Sequence, residues 1–202
     1  IPVIAIEREA EHISSVNTDN YMGALQATSL LIRDKCDILI HINVNVNKSA
    51  PAYDRIRAFQ ATCEEYHVPY DIDLSVKGAS YHELLDVIRE IFNKIESKYP
   101  DQKKGIFLAN DTYANMFLNL IFQKYGTFPS TYEIVGFDNS PIASEAILPI
   151  TTIGQQIDVI AKTAMDLLVQ QMEEQKKRVP KPLGEPIHKQ ITPILIRRNT
   201  TE

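Results

Sequence analysis

The sequence EIVGFDNSPIASEAILPITTI, residues 133–153, decides the predicted fold because it holds two short apolar runs. The first run, residues 134–137, ends directly in Asp138 and Asn139. Short apolar runs bounded by turn residues are typical of buried strands. In open α/β sheets, ligands bind beyond the carboxyl ends of the strands. The stretch therefore predicts a buried strand that places a carboxylate and an amide where a ligand can bind.

Strand-like and helix-like segments alternate outward from this stretch along most of the chain. Apolar runs predict strands at residues 2–6, 14–18, 38–42, 68–74, 105–109 and 132–137, and an extended segment at 187–196. Helical spacing predicts helices that begin near residues 20, 51, 80, 111, 140 and 157, the last ending near Lys177 and before Pro180. This alternation predicts an α/β fold whose parallel sheets are flanked by helices.

The composition is that of an ordinary soluble globular protein. The chain has 202 residues, of which 44% are hydrophobic and 23% charged, so one large domain or two smaller lobes would fit. Its net charge of -5 gives no attraction for nucleic acid or an anionic membrane, and no apolar run approaches the ~20 residues of a membrane span. Two cysteines without a C-x-x-C motif favour the reducing cytoplasm. The scattered histidines predict no metal site.

Three polar groups follow predicted strands, where the carboxyl ends of parallel strands open onto one crevice. They are residues 43–47, the pair Asn110 and Asp111, and the pair Asp138 and Asn139. Arg55 lies near the start of the helix that follows the first of these groups, so we expect it to face the same crevice. No nucleophile with an adjacent base accompanies these residues, which argues against an enzyme. Carboxylate, amide and guanidinium groups suit the binding of hydroxyls.

Seven motifs occur in a fixed order along the chain. They are IPVIAIER, VNTDNYMGA, YDRIRAFQA, LANDTYAN, FPSTYEIVGFDNS, LPITTIGQQ and LIRRNT. Together they resemble the effector-binding domain of the LacI/GalR family of bacterial transcription regulators, over essentially the whole chain. The sequence departs from the family at Lys35 and Cys36, where glycine and histidine are usual, and at Ala58, where glycine is usual.

This resemblance implies two similar lobes, as in periplasmic sugar-binding proteins, with the ligand held between them. Residues 1–36 and 154–180 would form an incomplete amino-terminal lobe, and residues 37–153 and 181–202 the carboxy-terminal lobe. The family's DNA-binding headpiece would lie upstream and is absent from this chain. The ligand contacts implied are Arg55, Asn110, Asp138 and Gln155.

The resemblance also implies a function and a set of partners. We expect the ligand-sensing domain of a cytoplasmic transcriptional repressor that binds a small sugar or related polar metabolite and couples it, by a hinge motion, to operator DNA. A homodimer is expected, with the helix of Met22, Leu25 and Leu30 and the helix from Ile157 as candidate surfaces. No membrane and no cofactor are expected.

Other interpretations of these residues stay open. Asn110, Asp138 and Gln155 also fit plain helix caps. Arg55 also fits an ion pair with Asp54 or Asp138. The alternative function is a periplasmic or lipoprotein sugar-binding component of a transporter, which shares the two-lobed architecture.

Overall fold

The computed structural model describes residues 1–8, 11–47, 50, 52–78, 80–176 and 184–202. Strands in these ranges are β1 (Ile4–Ile6), β2 (Ser14–Thr18), β3 (Ile38–Val44), β4 (Tyr70–Val76), β5 (Lys104–Leu108), β6 (Tyr132–Asp138), β7 (Thr151–Gly154), β8 (His188–Ile191) and β9 (Ile194–Ile196). Helices are α1 (Asn20–Arg33), α2 (Tyr53–Glu65), α3 (Tyr81–Lys98), α4 (Asp111–Tyr125), α5 (Pro141–Glu145) and α6 (Ile157–Gln175).

The strands form two sheets of different size. The larger sheet has the order β4-β3-β5-β6-β7-β9 and is parallel except for β9, which is antiparallel to β7. The smaller sheet, β1-β2-β8, is parallel. On the larger sheet, α3 and α4 cover one face and α1 and α2 the other, so its central strands β3, β5 and β6 are buried along almost their whole length and mostly apolar. The α/β fold with mainly parallel sheets and flanking helices confirms the prediction.

Side-chain caps begin several helices where the sequence predicts them. Asp19 accepts a hydrogen bond from the amide of Met22 at 2.9 Å, and Ser80 accepts one from the amide of Glu83 at 3.3 Å. Each bond satisfies an amide that has no partner inside its helix. The predicted end of α6 near Lys177 and the break at Pro180 lie outside the described residues.

Two elements pack differently from the expected lobe boundaries. Helix α1, expected with residues 1–36 in the amino-terminal lobe, instead packs on α2 and the larger sheet through its buried Ala24, Ala27 and Leu31. The segment 187–196, expected as one extended piece of the carboxy-terminal lobe, divides at Thr192 and Pro193. Its first half pairs with β2 and its second half with β7. Pro193 has no N–H for a ladder, which fits its place at the break.

Within the described residues, the chain passes between the two sheets three times. The crossings lie between β2 and α1, between β7 and α6, and between β8 and β9. Hydrogen bonds connect them: the amide of Asp19 donates to the carbonyl of Ile191 at 2.9 Å, and Gln156 Nε2 donates to the carbonyl of Thr192 at 2.7 Å. The crossings are therefore neighbours, and they run beside the carboxyl ends of the larger sheet.

Gly23 allows α1 to approach the larger sheet closely. A Cβ atom at this position would lie 2.8 Å from Cε2 of Phe137 and 3.1 Å from Cγ2 of Ile153. We expect Gly23→Ala to lower the free energy of unfolding by about 1 to 2 kcal/mol, because overpacking outweighs the better helix propensity of alanine. Denaturant unfolding measures the change. Gly184→Ala is the control, since its Cβ would meet nothing within 4 Å; equal effects of the two substitutions would contradict the prediction.

Candidate functional site

Three of the four predicted ligand residues meet at the carboxyl ends of the larger sheet. Asp138 is the last residue of β6, and its Oδ1 accepts a hydrogen bond from Gln155 Nε2 at 2.7 Å. Arg55, in the first turn of α2, places Nη2 4.0 Å from the same oxygen. The Asp138 side chain is 39% exposed whereas that of Arg55 is 12% exposed. A carboxylate open to solvent thus stands against a nearly buried guanidinium.

Asn110 lies next to this group, but its side chain makes no described hydrogen bond to Arg55 or Asp138; the preceding residue, Ala109, does. The carbonyl of Ala109 accepts a hydrogen bond from Arg55 Nη1. The Asn110 side chain caps α4, its Oδ1 accepting from the amide of Tyr113 at 2.9 Å. The cap and a ligand contact are compatible, because the amide nitrogen of the side chain still carries its donors.

The guanidinium of Arg55 is held on several sides. Its Nε donates to Asn20 Oδ1 at 2.7 Å, and its Cζ lies 3.5 Å from the centroid of the Phe137 ring. Burial lowers the pKa of Arg55 to about 10, while Asp138 opposes this shift. The side chain therefore remains charged at neutral pH, in a fixed orientation.

Asp138 and Asn139 form a strained turn at the end of β6. Their φ angles are 106° and 55°, a region that residues other than glycine rarely adopt. Arg198 Nη2 donates to Asn139 Oδ1 at 2.7 Å, and the amide of Ser140 donates to Asp111 Oδ2 at 2.7 Å. Strain of this kind persists only where the surroundings fix it, and it concentrates at binding sites.

The charges around Arg55 are mostly negative. Asp138, Glu7 and Asp111 all act to raise its pKa against the larger effect of burial. Burial also raises the pKa of Asp138, and Arg55 works against that rise. Glu7 comes from the other side of the crossings, where its Oε1 accepts from Thr18 N at 2.6 Å and from Thr18 Oγ1 at 2.8 Å. Of these three carboxylates, Asp138 is the one that forms an ion pair with Arg55 among the contacts described, at 4.0 Å.

Asn43 does not face the crevice as the sequence pattern suggested. His41 Nδ1 donates to the carbonyl of Phe107 at 3.0 Å, so its Nε2 accepts from Asn43 Nδ2 at 3.1 Å. Asn43 is 2% exposed, and its Oδ1 accepts from the amide of Val44 at 2.8 Å. The amide is therefore used to hold the end of β3.

Sequence reasoning missed three contributors to the site. Asn20 was interpreted only as a helix start, Glu7 was not singled out, and Phe137 was taken as a strand residue. A usable signal existed for Asn20, because it lies in the polar run of residues 17–20 at the end of a predicted strand. The structure leaves Asn20 only 4% exposed, so its side chain needs a partner inside the protein.

Two concave regions differ in their chemistry. A cavity of about 340 Å³ lies between Asp138, Gln155 and the start of α6. A larger open groove of about 810 Å³ lies at the opposite ends of β3 and β4, near Tyr70 and Tyr99. The smaller one adjoins the strained turn and is lined by Asp138 and Gln155, whereas Arg55 and Asn110 stand beside Asp138 outside its lining. We assign the candidate site there.

Among the described residues, no three His, Cys, Asp or Glu side chains are grouped so as to hold a metal ion. No helix in the described part of the chain has the length and apolar character needed to cross a membrane.

Comparison with known sequences identifies a family and named relatives. Residues 30–201 match the family described as periplasmic binding protein-like domain. The chain is 27% identical to the ribose operon repressor of Halalkalibacterium halodurans, over 99% of this chain and 56% of that protein. It is 27% identical to the sucrose operon repressor of Streptococcus mutans, over 86% of this chain and 52% of that protein. The chain thus spans about half the length of these curated relatives.

Comparison with solved structures supports the fold. A periplasmic binding protein/LacI transcriptional regulator from Alkaliphilus metalliredigens complexed with D-xylulofuranose superposes with a TM-score of 0.78 at 24% identity, over 100% of this chain and 71% of that one. A LacI family regulator from Enterococcus faecalis with bound ribose gives a TM-score of 0.75 at 22% identity, over 100% and 68%. At these identities the likeness establishes the fold alone.

The hydrogen bonds of Arg55 predict that lysine cannot replace it. Lysine keeps the charge but lacks the planar fork that serves Asn20 and Ala109 together. We expect Arg55→Lys to lower the free energy of unfolding by about 1 to 3 kcal/mol, because at least one buried acceptor loses its donor. Arg57→Lys in the same helix is the control, since Arg57 is exposed, pairs with Asp54 and lies 5.9 Å from the centroid of the Tyr21 ring. Equal losses would contradict this account.

Buried His41 predicts a pH dependence of stability. Burial lowers its pKa from 6.5 to about 3. Below pH 6.5 the unfolded chain takes up the proton first, so stability is lost as pH falls toward 3, with a slope of at most about 1.4 kcal/mol per pH unit. His41→Gln, which keeps a donor and an acceptor, should flatten this slope in denaturant titrations. The exposed His82→Gln should not, and an unchanged slope in both variants would refute the assignment.

Proposed function

The chain belongs to the periplasmic binding protein-like domain family, and we propose that it is the ligand-sensing part of a sugar-responsive transcriptional repressor of the LacI/GalR type. Its relatives over nearly the whole chain are named as ribose and sucrose operon repressors. Because the chain spans about half of their length, operator binding is proposed for a headpiece outside it. The names of these relatives favour a regulator over the transporter component, which no feature of the site specifically supports.

The observation that carries this proposal is the group formed by Asp138, Arg55 and Gln155. An accessible carboxylate on a strained turn accepts hydrogen bonds from two adjacent hydroxyls, and the fixed guanidinium donates to a third oxygen. Asn110 stands beside Ala109 at the same strand ends. We assign these four residues to the ligand. None of them forms a nucleophile and base pair, so binding without turnover is proposed.

The charges around Arg55 favour a neutral ligand. A phosphorylated sugar would place its charge next to Asp138, while Arg55 is already paired with Asp138 and is further influenced by Glu7 and Asp111. The desolvated site would strengthen that repulsion. Neutral hydroxyls meet no such penalty.

The two sheets suggest how binding is transmitted. Arg55 is in α2, which packs on the larger sheet, Asp138 ends β6 of that sheet, and Glu7 follows β1 of the smaller sheet. Within the described residues, three crossings connect the two sheets. We propose that a ligand between them closes the smaller sheet on the larger one by hinge rotation. The effect on operator affinity must then be matched by an equal effect of operator on ligand affinity.

A cytoplasmic homodimer is part of the proposal, since a twofold protein matches a palindromic operator. Of the two candidate surfaces, α1 is unsuitable because Leu30 is buried against the larger sheet. Helix α6 carries the exposed apolar side chains Met165, Val169 and Met172. We therefore retain α6 alone.

Thermal unfolding of the full-length protein with ribose, xylulose, sucrose, cellobiose and ribose 5-phosphate tests the function. We expect one of the neutral sugars to stabilise the protein by about 2.7 kcal/mol at one hundred times its Kd, and the phosphate ester to have no effect. Asp138→Ala should abolish the shift. Asp86→Ala, which removes an exposed carboxylate from α3, should preserve it. Undiminished binding by Asp138→Ala would show that the site lies elsewhere.

A further inference from the structure

Asp111 is a buried carboxylate next to the proposed ligand site, and the sequence places it with Asn110 in one of the polar groups that follow predicted strands. Its residue is 1% exposed. Oδ1 accepts from Thr152 Oγ1 at 2.6 Å, and Oδ2 accepts from the amide of Ser140 at 2.7 Å and from its Oγ at 3.2 Å. A carboxylate is rarely buried this deeply without such partners. The group thus joins the start of α4, strand β7 and the segment after β6.

Gly136 makes this placement possible. A Cβ atom on Gly136 would lie 2.3 Å from Asp111 Oδ1, so any other residue in this position of β6 would displace the carboxylate. The carboxylate therefore lies directly against the strand that ends in Asp138. The glycine before Phe137 and the aspartate after Asn110 are two parts of one arrangement.

The three joined elements carry three of the proposed ligand residues. Asn110 immediately precedes Asp111, Asp138 lies two residues before Ser140, and Gln155 lies three residues after Thr152. The hydroxyl of Thr152 also accepts from the amide of Asn139 at 3.4 Å. Oδ1 of Asp111 thus binds the strand that leads to Gln155, and Oδ2 binds the segment that follows Asp138.

The turn between β6 and α5 needs such support. Asp138 and Asn139 have φ angles of 106° and 55°, and each costs about 1 to 3 kcal/mol relative to an ordinary conformation. The bond from Ser140 to Asp111 fixes the far end of this turn. Without it, the bonds of Asn139 with Arg198 and Thr152 would hold the turn at one residue only. We then expect the backbone to relax toward negative φ and to rotate the Asp138 carboxylate away from Gln155 and Arg55.

We propose that Asp111 is the positioning residue of the ligand site, setting the separation and direction of Asn110, Asp138 and Gln155 without touching the ligand. This inference rests on the proposed sugar-binding function. It predicts that a change at this buried residue alters ligand affinity, in addition to any change in the stability of the fold.

Asp111→Asn tests the inference with almost no change in shape. The amide has one acceptor oxygen where the carboxylate has two, so in either orientation it cannot accept from both Thr152 and the amide of Ser140. Calorimetry well below the unfolding temperature, with the sugar that stabilises the wild-type protein, should give a Kd at least tenfold higher. Thr152→Val should also weaken binding, and the double variant should lose less than the product of the two single effects, because both act through one contact.

Thr200→Val is the matched structural control. Thr200 is fully buried at the other end of β6 and β7, where its Oγ1 donates to the carbonyl of Ile134 at 2.7 Å and accepts from the amide of Thr151 at 2.9 Å. We expect it to lower the unfolding temperature and to leave Kd within about twofold of the wild-type value. If Asp111→Asn behaves in the same way, Asp111 only stabilises the fold and the inference is wrong.

A measurement without ligand separates this inference from the proposed function. Amide hydrogen exchange at Asn139 and Ser140, followed by NMR, should be at least tenfold faster in Asp111→Asn than in the wild-type protein and unchanged in Thr200→Val. If no sugar binds the wild-type protein, the proposed function fails, whereas this exchange still decides whether Asp111 fixes the turn. Unaltered exchange at both amides in Asp111→Asn would overturn the inference.

Discussion

The buried guanidinium of Arg55 is the interaction on which the rest of the site depends. A charge with so little exposure requires acceptors from several directions, and leaving one out is costly. Its acceptors come from a crossing, from the end of β5 and from the end of β6, through Asn20, Ala109 and Asp138. Stacking on Phe137 fixes its remaining face. The acceptors that this one buried guanidinium requires thus come from the ends of elements that are distant in sequence.

Most of the fold could be predicted from the sequence because a parallel sheet covered on both faces requires continuous apolar strands. The resemblance to LacI/GalR regulators, stated from ordered motifs, is confirmed by the family match and the named repressors. The wrong predictions concerned which elements pack or pair with each other. The apolar face of α1 shows that the helix is packed but not against which sheet, and residues 187–196 contain no signal that their halves pair with different strands apart from Pro193.

The candidate site was predictable only in part. The rule that polar residues follow strands toward a shared crevice found Arg55 and Asp138, which the structure brings together. The same rule gave a wrong prediction for Asn43, because a buried histidine two residues earlier uses its amide. The role of Asp111 depends on contacts with segments about 30 and 40 residues away, which no local pattern encodes. Tertiary hydrogen bonds, rather than spacing, decide which polar residue faces a ligand.

Asp138 and Arg55 are held rigidly, which limits their part in the proposed switch. A ligand shifts an equilibrium only through contacts that differ between the two states. Asp138 is fixed by its turn and Arg55 by its acceptors, so their contacts with a ligand change little as the sheets approach each other. They supply affinity that needs no reorganisation on binding. The shift must then come from groups on the side of the smaller sheet, such as Glu7, which acts on the charge of Arg55, and Asp158, which lines the cavity. In such a regulator, substitutions on the larger sheet change how tightly the sugar binds, whereas substitutions around Glu7 change how strongly binding is coupled to operator affinity.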